Sequence, residues 1–238
     1  MIALDIGAVL TAFPTFRVAL LVAAPLAIRA VRSAAVEAFV ACAEAEVAAA
    51  LANAALADLP ELAAWRAAYR AFGVKKTSYR SSVERLLKLV ARGDGLPRVN
   101  PLVDLYNAVS ARHRLPIGAD DLALVTPPLA FRYARPDDSF VALGDAAATQ
   151  DPPKPGEVVY ADAVKCLCRR WNWYQDARSA ITGGTRAAVL TIQGLGPSAA
   201  RIEPAAAELA ALLDEHCGAT CRWSVASADQ PVAAVYPA

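Results

Sequence analysis

The chain has 238 residues and a formal net charge of +1, with 56% hydrophobic and 20% charged residues. This composition favours a compact core and excludes an intrinsically disordered chain, and the length suits one sizeable α/β domain or two small ones. Because the net charge is close to zero, the whole chain has no general attraction for nucleic acid, so contact with RNA would require a local basic patch.

Helical patterns dominate the first half of the chain after one apolar strand. The strand spans 15–26, with Val18 to Val22 as its buried centre. Serine, asparagine and proline at the expected first turns, and Gly73 after the second helix, set the boundaries of the helices. The predicted helices are 28–57, as one or two segments, then 60–72, 83–91 and 102–112.

Short β-friendly segments dominate the second half and are separated by proline, glycine and aspartate. The predicted strands are 122–125, 130–133, 140–143, 158–161, 187–192 and 222–225, with one late helix at 205–216. Helices gathered early and strands gathered late predict an α+β domain, with helices packed on a mixed, mostly antiparallel sheet.

The compartment is predicted from the apolar run and the cysteines. The run from Val18 to Leu26 is far shorter than the ~20 residues that cross a bilayer, and no basic leader precedes it, so we expect neither a membrane span nor a signal peptide. Five cysteines, an odd number, disfavour a full set of disulfides. We therefore expect a cytoplasmic protein with reduced thiols.

Familiar catalytic and cofactor signatures are absent from the sequence. It contains no glycine-rich dinucleotide or phosphate loop and no nucleophilic serine elbow, so we expect no cofactor. Cys166 and Cys168 do not have the usual spacing of a zinc knuckle, and in a strand both sulfurs would share one face. We interpret them as half-buried thiols and expect no metal.

Basic residues are concentrated between Arg66 and Arg98, where only Glu84 and Asp94 oppose them. The cations are Arg66, Arg70, Lys75, Lys76, Arg80, Arg85, Lys88, Arg92 and Arg98. A second group consists of Lys165, Arg169 and Arg170. Such side chains hold phosphates with little sequence specificity, but they are equally typical of a solvated helix face with ion pairs.

Three aromatic residues and an amide follow the second basic group, in the order Trp171, Asn172, Trp173 and Tyr174. In a strand, Trp171 and Trp173 would share one face. They are then either core residues or the wall of a pocket for an amino acid or a terminal adenosine.

Two segments together resemble a known family. The segment 98–121 contains Arg98-Val-Asn-Pro-Leu-Val-Asp-Leu-Tyr-Asn107 and ends in Leu115-Pro-Ile-Gly-Ala-Asp-Asp121. It resembles the B3/B4 domain of the bacterial phenylalanyl-tRNA synthetase β subunit, an editing module that hydrolyses wrongly charged aminoacyl-tRNA. The segment 168–173 is similar to free-standing B3/B4 proteins. The resemblance implies a single B3/B4-type domain over 1–238, in which 75–196 corresponds to the module, 1–74 precedes it and 197–238 follows it.

The resemblance also implies positions for the site. Tyr106 and Asn107 match a threonine-asparagine pair that lines the editing pocket, Gly118 falls on a pocket histidine, and Asp121 matches an aspartate. No glutamate is present near Arg169 to match the acidic specificity residue, so rejection of tyrosine is not implied. Ester hydrolysis would then depend on orientation and hydrogen bonds, without a dedicated nucleophile.

The leading hypothesis is a trans-editing aminoacyl-tRNA deacylase, in which segments 100–118 and 169–174 enclose one cavity. Its predicted catalytic residues are Asn107, Asn172 and Thr182. Its predicted substrate contacts are Asn100, Tyr106, Gly118, Asp121, Arg169, Trp171 and Trp173. Its predicted RNA contacts are Lys75, Lys76, Arg80, Arg98 and Arg170. The alternatives are a non-catalytic protein that binds an amino acid or a related metabolite, and an RNA-binding accessory protein without a small-molecule pocket.

Overall fold

A computed structural model describes residues 1–52, 54–74, 79–144 and 150–236. The helices are α1 (Gly7–Leu10), α2 (Ala34–Leu51), α3 (Pro60–Ala71), α4 (Ser82–Ala91), α5 (Pro101–His113) and α6 (Ile202–Cys217). The strands are β1 (Ile2–Asp5), β2 (Arg17–Ala24), β3 (Ile117–Asp121), β4 (Leu129–Tyr133), β5 (Val158–Ala161), β6 (Cys166–Arg169), β7 (Tyr174–Gln175), β8 (Ala188–Gly194), β9 (Thr220–Ala226) and β10 (Val232–Val235).

The strands of the described residues form two sheets. The first has the order β3-β8-β2-β9 and is antiparallel throughout. The second has the order β10-β1-β4-β5-β6-β7 and is antiparallel except where β1 pairs with β4. The predicted α+β class with mixed, mostly antiparallel pairing is confirmed, and the strands divide into two sheets.

Strand β2 lies at the centre of the molecule. Ala19 and Leu21 pack into the core shared with the long helices, whereas Val18 and Leu20 pack into the core between the two sheets. A strand covered on both faces needs a continuous apolar run instead of alternating residues, which is the pattern that predicted it. The order of layers is therefore helices, the four-stranded sheet and the six-stranded sheet.

The residues at its two ends explain where helix α5 begins and where it stops. Asn100 caps its start by accepting the Val103 N–H at 3.0 Å, and Pro101 occupies the first turn. Arg114, with a φ of 57°, ends it in the left-handed conformation. Asp104 binds Arg32 through a 2.7 Å contact from Nε, so the buried helix is held against the segment that precedes α2.

Three predicted elements differ from the structure. The predicted strand 122–125 is a short 3-10 turn, because Asp121 accepts the Ala123 N–H at 3.0 Å and bends the chain there. The strand is β3, immediately before the turn. Helix α2 starts at Ala34, where Ser33 provides the cap, and the segment 140–143 contributes only isolated bridges at Val141 and Ala142.

No helix in the described part of the chain combines the length and the hydropathy that crossing a bilayer requires.

Candidate functional site

A cavity of about 230 Å³ opens between the two sheets at the β3 edge of the four-stranded sheet. Helices α4 and α5, strands β3 and β8, and the β5 to β7 side of the other sheet all contribute to its lining. The predicted residues Tyr106, Asn107, Gly118, Asn172 and Trp173 line it. The proline-asparagine helix and the tryptophan segment therefore meet around one cavity.

The alternation of side chains along β3 decides which residues face the cavity. Gly118 pairs with Thr191 and Asp120 pairs with Val189 of β8, on the face directed at the other sheet. Asp121, one residue further on, points to the opposite face. A Cβ built on Gly118 would meet nothing within 4 Å, so the missing side chain leaves this part of the cavity open.

Asp120 is a buried carboxyl with one oxygen saturated and the other free. Its Oδ1 accepts the Ser179 hydroxyl at 2.7 Å and the Gln175 amide at 3.1 Å. Oδ2 receives no hydrogen bond from the described residues. Burial raises the pKa of Asp120 to about 7, and the two hydrogen bonds oppose this rise only in part. The cavity thus contains an acid that changes protonation near neutral pH.

Asn172 belongs to a hydrogen-bonded wall. Its Oδ1 accepts the Tyr69 hydroxyl at 2.8 Å, and its Nδ2 donates to Gln193 Oε1 at 3.1 Å. Gln193 in turn donates to the Thr191 hydroxyl at 3.2 Å. Because both ends of the Asn172 amide are occupied, its position indicates that it orients the wall, which differs from the predicted catalytic contact.

Asn107 has an amide that remains available to a ligand. The residue is half-buried on α5, and its side chain makes no hydrogen bond to a described residue. The preceding Tyr106 is buried, and burial raises the pKa of its phenol, so that group stays neutral near pH 7. Asn107 therefore offers an amide N–H beside a neutral aromatic wall.

The two cysteines of β6 are separated by a bulge. Cys166 pairs with Ala161 and Cys168 with the adjacent Tyr160, so the sulfurs face opposite sides of the sheet, contrary to the prediction for a regular strand. Burial raises the pKa of both thiols far above neutrality, which leaves Cys168 an inert lining residue. No trio of metal-binding side chains is arranged as a ligand set within the described ranges.

The segment between β6 and β7 is a turn and not a strand, which corrects the predicted shared face of the two tryptophans. Arg170 and Trp171 have φ values of 47° and 65°, in the left-handed region. The turn sends Trp171 into the core, where its ring meets Phe13 at 4.7 Å, while Trp173 lines the cavity. The predicted substrate contact of Trp171 is therefore replaced by core packing.

Both arginines of this turn are buried, which corrects their predicted contacts. Arg169 is fully buried and forms a two-point ion pair with Glu157, with contacts of 3.1 and 2.9 Å. The guanidinium of Arg170 lies between the rings of Tyr79 and Trp173, at 3.8 and 4.4 Å from their centroids. Neither side chain reaches the surface where RNA or substrate would bind.

Three further predicted residues lie outside the cavity lining. Thr182 is exposed in a turn before β8, where its hydroxyl accepts the Gly184 N–H at 3.1 Å. Asn100 is occupied in capping α5. Asp121 caps the 3-10 turn and accepts the Thr185 hydroxyl at 2.7 Å. Each has a local structural role that accounts for its residue type.

The predicted basic surface is largely paired. Glu84 binds Arg66 and Arg80 at 2.9 and 2.7 Å, and Glu37 binds Arg98 at 2.8 Å. Lys75 and Lys76 lie outside the described residues. Helix α4 nevertheless presents two exposed cations, Arg85, which lines the cavity, and Lys88, which does not.

Sequence reasoning missed Asp120 and Gln175, and it placed Arg85 only within the general basic segment from Arg66 to Arg98. The alternation of Ile117, Gly118, Ala119 and Asp120 is a strand signal that places Gly118 and Asp120 on one face. Assigning the strand to 122–125 concealed that signal. No sequence pattern indicated Gln175 as a cavity residue, because it approaches β3 only when the β6–β7 hairpin has folded.

The chain forms a three-layer α+β domain with a cavity between its two sheets. Residues 64–218 match the model of the B3/4 domain, and the chain belongs to that family. The resemblance predicted from 98–121 and 168–173 is thereby confirmed.

A solved structure is similar to part of this chain. An N-terminal fragment of the phenylalanyl-tRNA synthetase β subunit from Pyrococcus horikoshii matches with 14% identity and a TM-score of 0.43. The match covers 51% of this chain and 41% of that fragment, so the chain spans less than half of the fragment's length. The comparison with curated proteins found no match.

Proposed function

We propose that this protein hydrolyses aminoacyl esters in trans, with the aminoacyl group of a mischarged tRNA bound in the cavity. One observation carries the proposal: the buried Asp120 carboxyl lies in the cavity, and its Oδ2 receives no hydrogen bond from the part of the chain that the structure describes. The cavity is smaller than the ~300–1,000 Å³ of pockets that take drug-sized ligands, which suits an amino-acid side chain. The resemblance to editing modules supports the same substrate class and, with it, a cytoplasmic location.

In this proposal Asp120 is the general base. Its carboxylate accepts a proton from water as the water oxygen bonds to the carbonyl carbon of the ester. The ester C–O bond then breaks, and Asp120 gives the proton to the leaving ribose oxygen, which becomes a hydroxyl as the free amino acid is released. A pKa of about 7 suits both transfers, because general catalysis is most effective when the pKa lies near the working pH.

Asn107 has the complementary role in the proposed mechanism. Its free amide N–H donates to the carbonyl oxygen of the ester as negative charge develops there. Asn172 holds the wall through Tyr69 and Gln193 and does not touch the reacting atoms. Of the three predicted catalytic residues, Asn107 alone retains that role.

The test is hydrolysis of a panel of mischarged tRNAs by the wild type, Asp120→Asn and Asp121→Asn. We expect Asp120→Asn to lower kcat by about 10²–10⁴, the usual contribution of a general base. Asp121→Asn makes the same chemical change on the opposite face of the strand and keeps an Oδ1 acceptor for Ala123, so its kcat should stay near wild type. Wild-type hydrolysis no faster than buffer over the whole panel would reject the proposal.

The second candidate function is non-catalytic binding of a free amino acid. It is favoured by the ion pairs of Arg80 and Arg98, which reduce the charge available to RNA. A free amino acid would then raise the melting temperature, whereas tRNA would not change it. The reverse pattern, stabilisation by tRNA alone, would exclude this candidate.

A further inference from the structure

Arg85 stands as an exposed cation at the mouth of the cavity. It projects from α4 and contributes to the cavity lining. Its Nη1 donates to the Trp173 carbonyl oxygen at 3.2 Å, and its Cζ lies 5.0 Å from the centroid of the Tyr174 ring. Both contacts come from the segment that forms the cavity wall, so the guanidinium is held in place there before any ligand binds.

The charge of Arg85 is not compensated within the described part of the chain. No carboxylate of those residues lies within 4.0 Å of its guanidinium. Its neighbour Glu84 turns instead toward Arg66 and Arg80. An arginine that is positioned by a carbonyl and an aromatic ring, without an acidic partner, is set up to receive an anion from outside.

Stacking on Tyr174 determines which part of Arg85 remains open. A guanidinium that lies over a ring keeps its planar N–H edge free, and that edge matches the paired oxygens of a carboxylate or a phosphate. The single donor committed to Trp173 leaves further N–H groups for a ligand.

We propose that Arg85 binds the anionic group of the ligand whose aminoacyl part fills the cavity, and that it selects ligands carrying such a group at the mouth. The inference rests on the proposed function for the occupant of the cavity. The group that Arg85 would bind is a pair of anionic oxygens, and either of two chemical groups can provide it. In an aminoacyl ester the amino acid's own carboxyl is neutral, so the anion is the nucleotide phosphate, whereas a free amino acid supplies its carboxylate.

The experiment measures binding by calorimetry at low salt and does not depend on hydrolysis. The first probe is L-phenylalanine joined by an amide bond to 3′-amino-3′-deoxyadenosine 5′-monophosphate, chosen because aromatic residues line the cavity. The second probe is the same compound without the phosphate. Free L-phenylalanine and L-phenylalaninamide form a matching pair with and without a carboxylate.

The variants are Arg85→Gln and the control Lys88→Gln. Lys88 is exposed on the same helix and does not line the cavity, so the control removes an equal charge elsewhere on α4. We expect the wild type to bind an anionic probe about tenfold more tightly than its neutral counterpart, near the lower end of what a hydrogen bond to a charged group supplies. Arg85→Gln should remove the difference, and Lys88→Gln should preserve it.

The results distinguish phosphate from carboxylate as the source of the anion. They also distinguish the role of Arg85 from the proposed ester hydrolysis. A preference confined to the phosphate pair assigns Arg85 to a nucleotide, and one confined to the carboxylate pair assigns it to a free amino acid. No preference in the wild type, no binding of any probe, or equal losses in both variants would overturn the role of Arg85. Ester hydrolysis without a preference in either pair would overturn this inference alone, whereas Arg85-dependent binding without hydrolysis would overturn only the hydrolase.

Discussion

At the scale of single residues, the chemistry of the cavity depends on two adjacent carboxyls with different surroundings. Asp121 is held by the Ala123 N–H and the Thr185 hydroxyl, one on each oxygen. Among the described residues, Asp120 has donors on Oδ1 only. Because a buried carboxylate needs donors on both oxygens to offset lost hydration, Asp120 is the one whose charged form is disfavoured.

The first prediction concerns the pH dependence of stability. Since burial raises the pKa of Asp120 from 3.8 to about 7, the folded state keeps the proton when the unfolded chain has lost it. The free energy of unfolding contributed by this group is thus complete below pH 4 and declines as the pH rises toward 7. Asp120→Asn lacks this decline, so at pH 8 we expect it to be more stable than the wild type by roughly 2–4 kcal/mol.

Urea unfolding of the wild type and Asp120→Asn between pH 4 and pH 8 measures this effect. Asp121→Asn serves as the control, because it alters a neighbouring carboxyl that has donors on both oxygens. A difference between the wild type and Asp120→Asn that stays constant over this range would contradict the raised pKa.

The second prediction concerns Gly118. Its φ lies outside the left-handed region and nothing lies within 4 Å of its Cβ position, so Gly118→Val adds a side chain to the cavity without backbone strain. We expect ligand affinity to fall by roughly five- to 150-fold, since overfilling a packed site costs roughly 1–3 kcal/mol, while the melting temperature stays within a few degrees. Gly194→Ala is the contrasting variant, because its Cβ would lie 2.9 Å from Ala199 Cα and should lower stability. Unchanged affinity in Gly118→Val would mean that the ligand binds elsewhere.

At the scale of elements, the β6–β7 turn separates the core from the cavity. Two consecutive non-glycine residues in the left-handed region cost roughly 1–3 kcal/mol each, and packing must hold them there. Trp171 is held by the rings of Phe13, Phe16 and Trp65, with centroids 4.7 to 5.3 Å away. The packing of Trp171 therefore offsets the backbone strain of the turn, and the turn places Asn172 and Trp173 at the cavity.

The third prediction tests whether Trp171 is a core residue. Trp171→Ala should lower the free energy of unfolding by about 3–5 kcal/mol, the usual cost of truncating a buried aromatic side chain. Trp223→Ala, which truncates a side chain that is 37% exposed on β9, should cost only about 1 kcal/mol. Urea unfolding followed by circular dichroism compares the two variants. Equal losses would show that Trp171 is not a core residue.

The elements differ in how far their local sequence predicted them. The apolar run of β2 and the Asn100-Pro101 start of α5 are local signals, and both predictions match the structure. The turn at Arg170 was not predictable, because no glycine marks it and only the aromatic core holds it in place. The position of Asp120 in the cavity could be predicted only from the correct bounds of β3, because these bounds decide which side chains share a face. The predicted strand at 122–125 lay after β3 and hid this alternation.

At the scale of the whole molecule, residues outside the family match complete both sheets. Strand β2 lies between β8 and β9, and β1 lies between β10 and β4. Both strands precede residue 64, where the match begins. The matched segment therefore depends on the N-terminal strands for the centre of one sheet and for an internal position in the other.

The fourth prediction follows from this arrangement. A fragment limited to 64–238 keeps β9 and β10 but loses β2, whose side chains from Val18 to Ala23 are buried on both faces, and so exposes the unpaired edges of β8 and β9. We expect it to aggregate or to lack a cooperative urea transition, and we expect a separately expressed 1–63 segment to bind it and restore one. A fragment that unfolds cooperatively by itself, with the midpoint of the full chain, would show that the family segment is independently stable. The cavity would then be formed without β2, since its lining residues all lie between 82 and 193, and the N-terminal strands would serve another purpose.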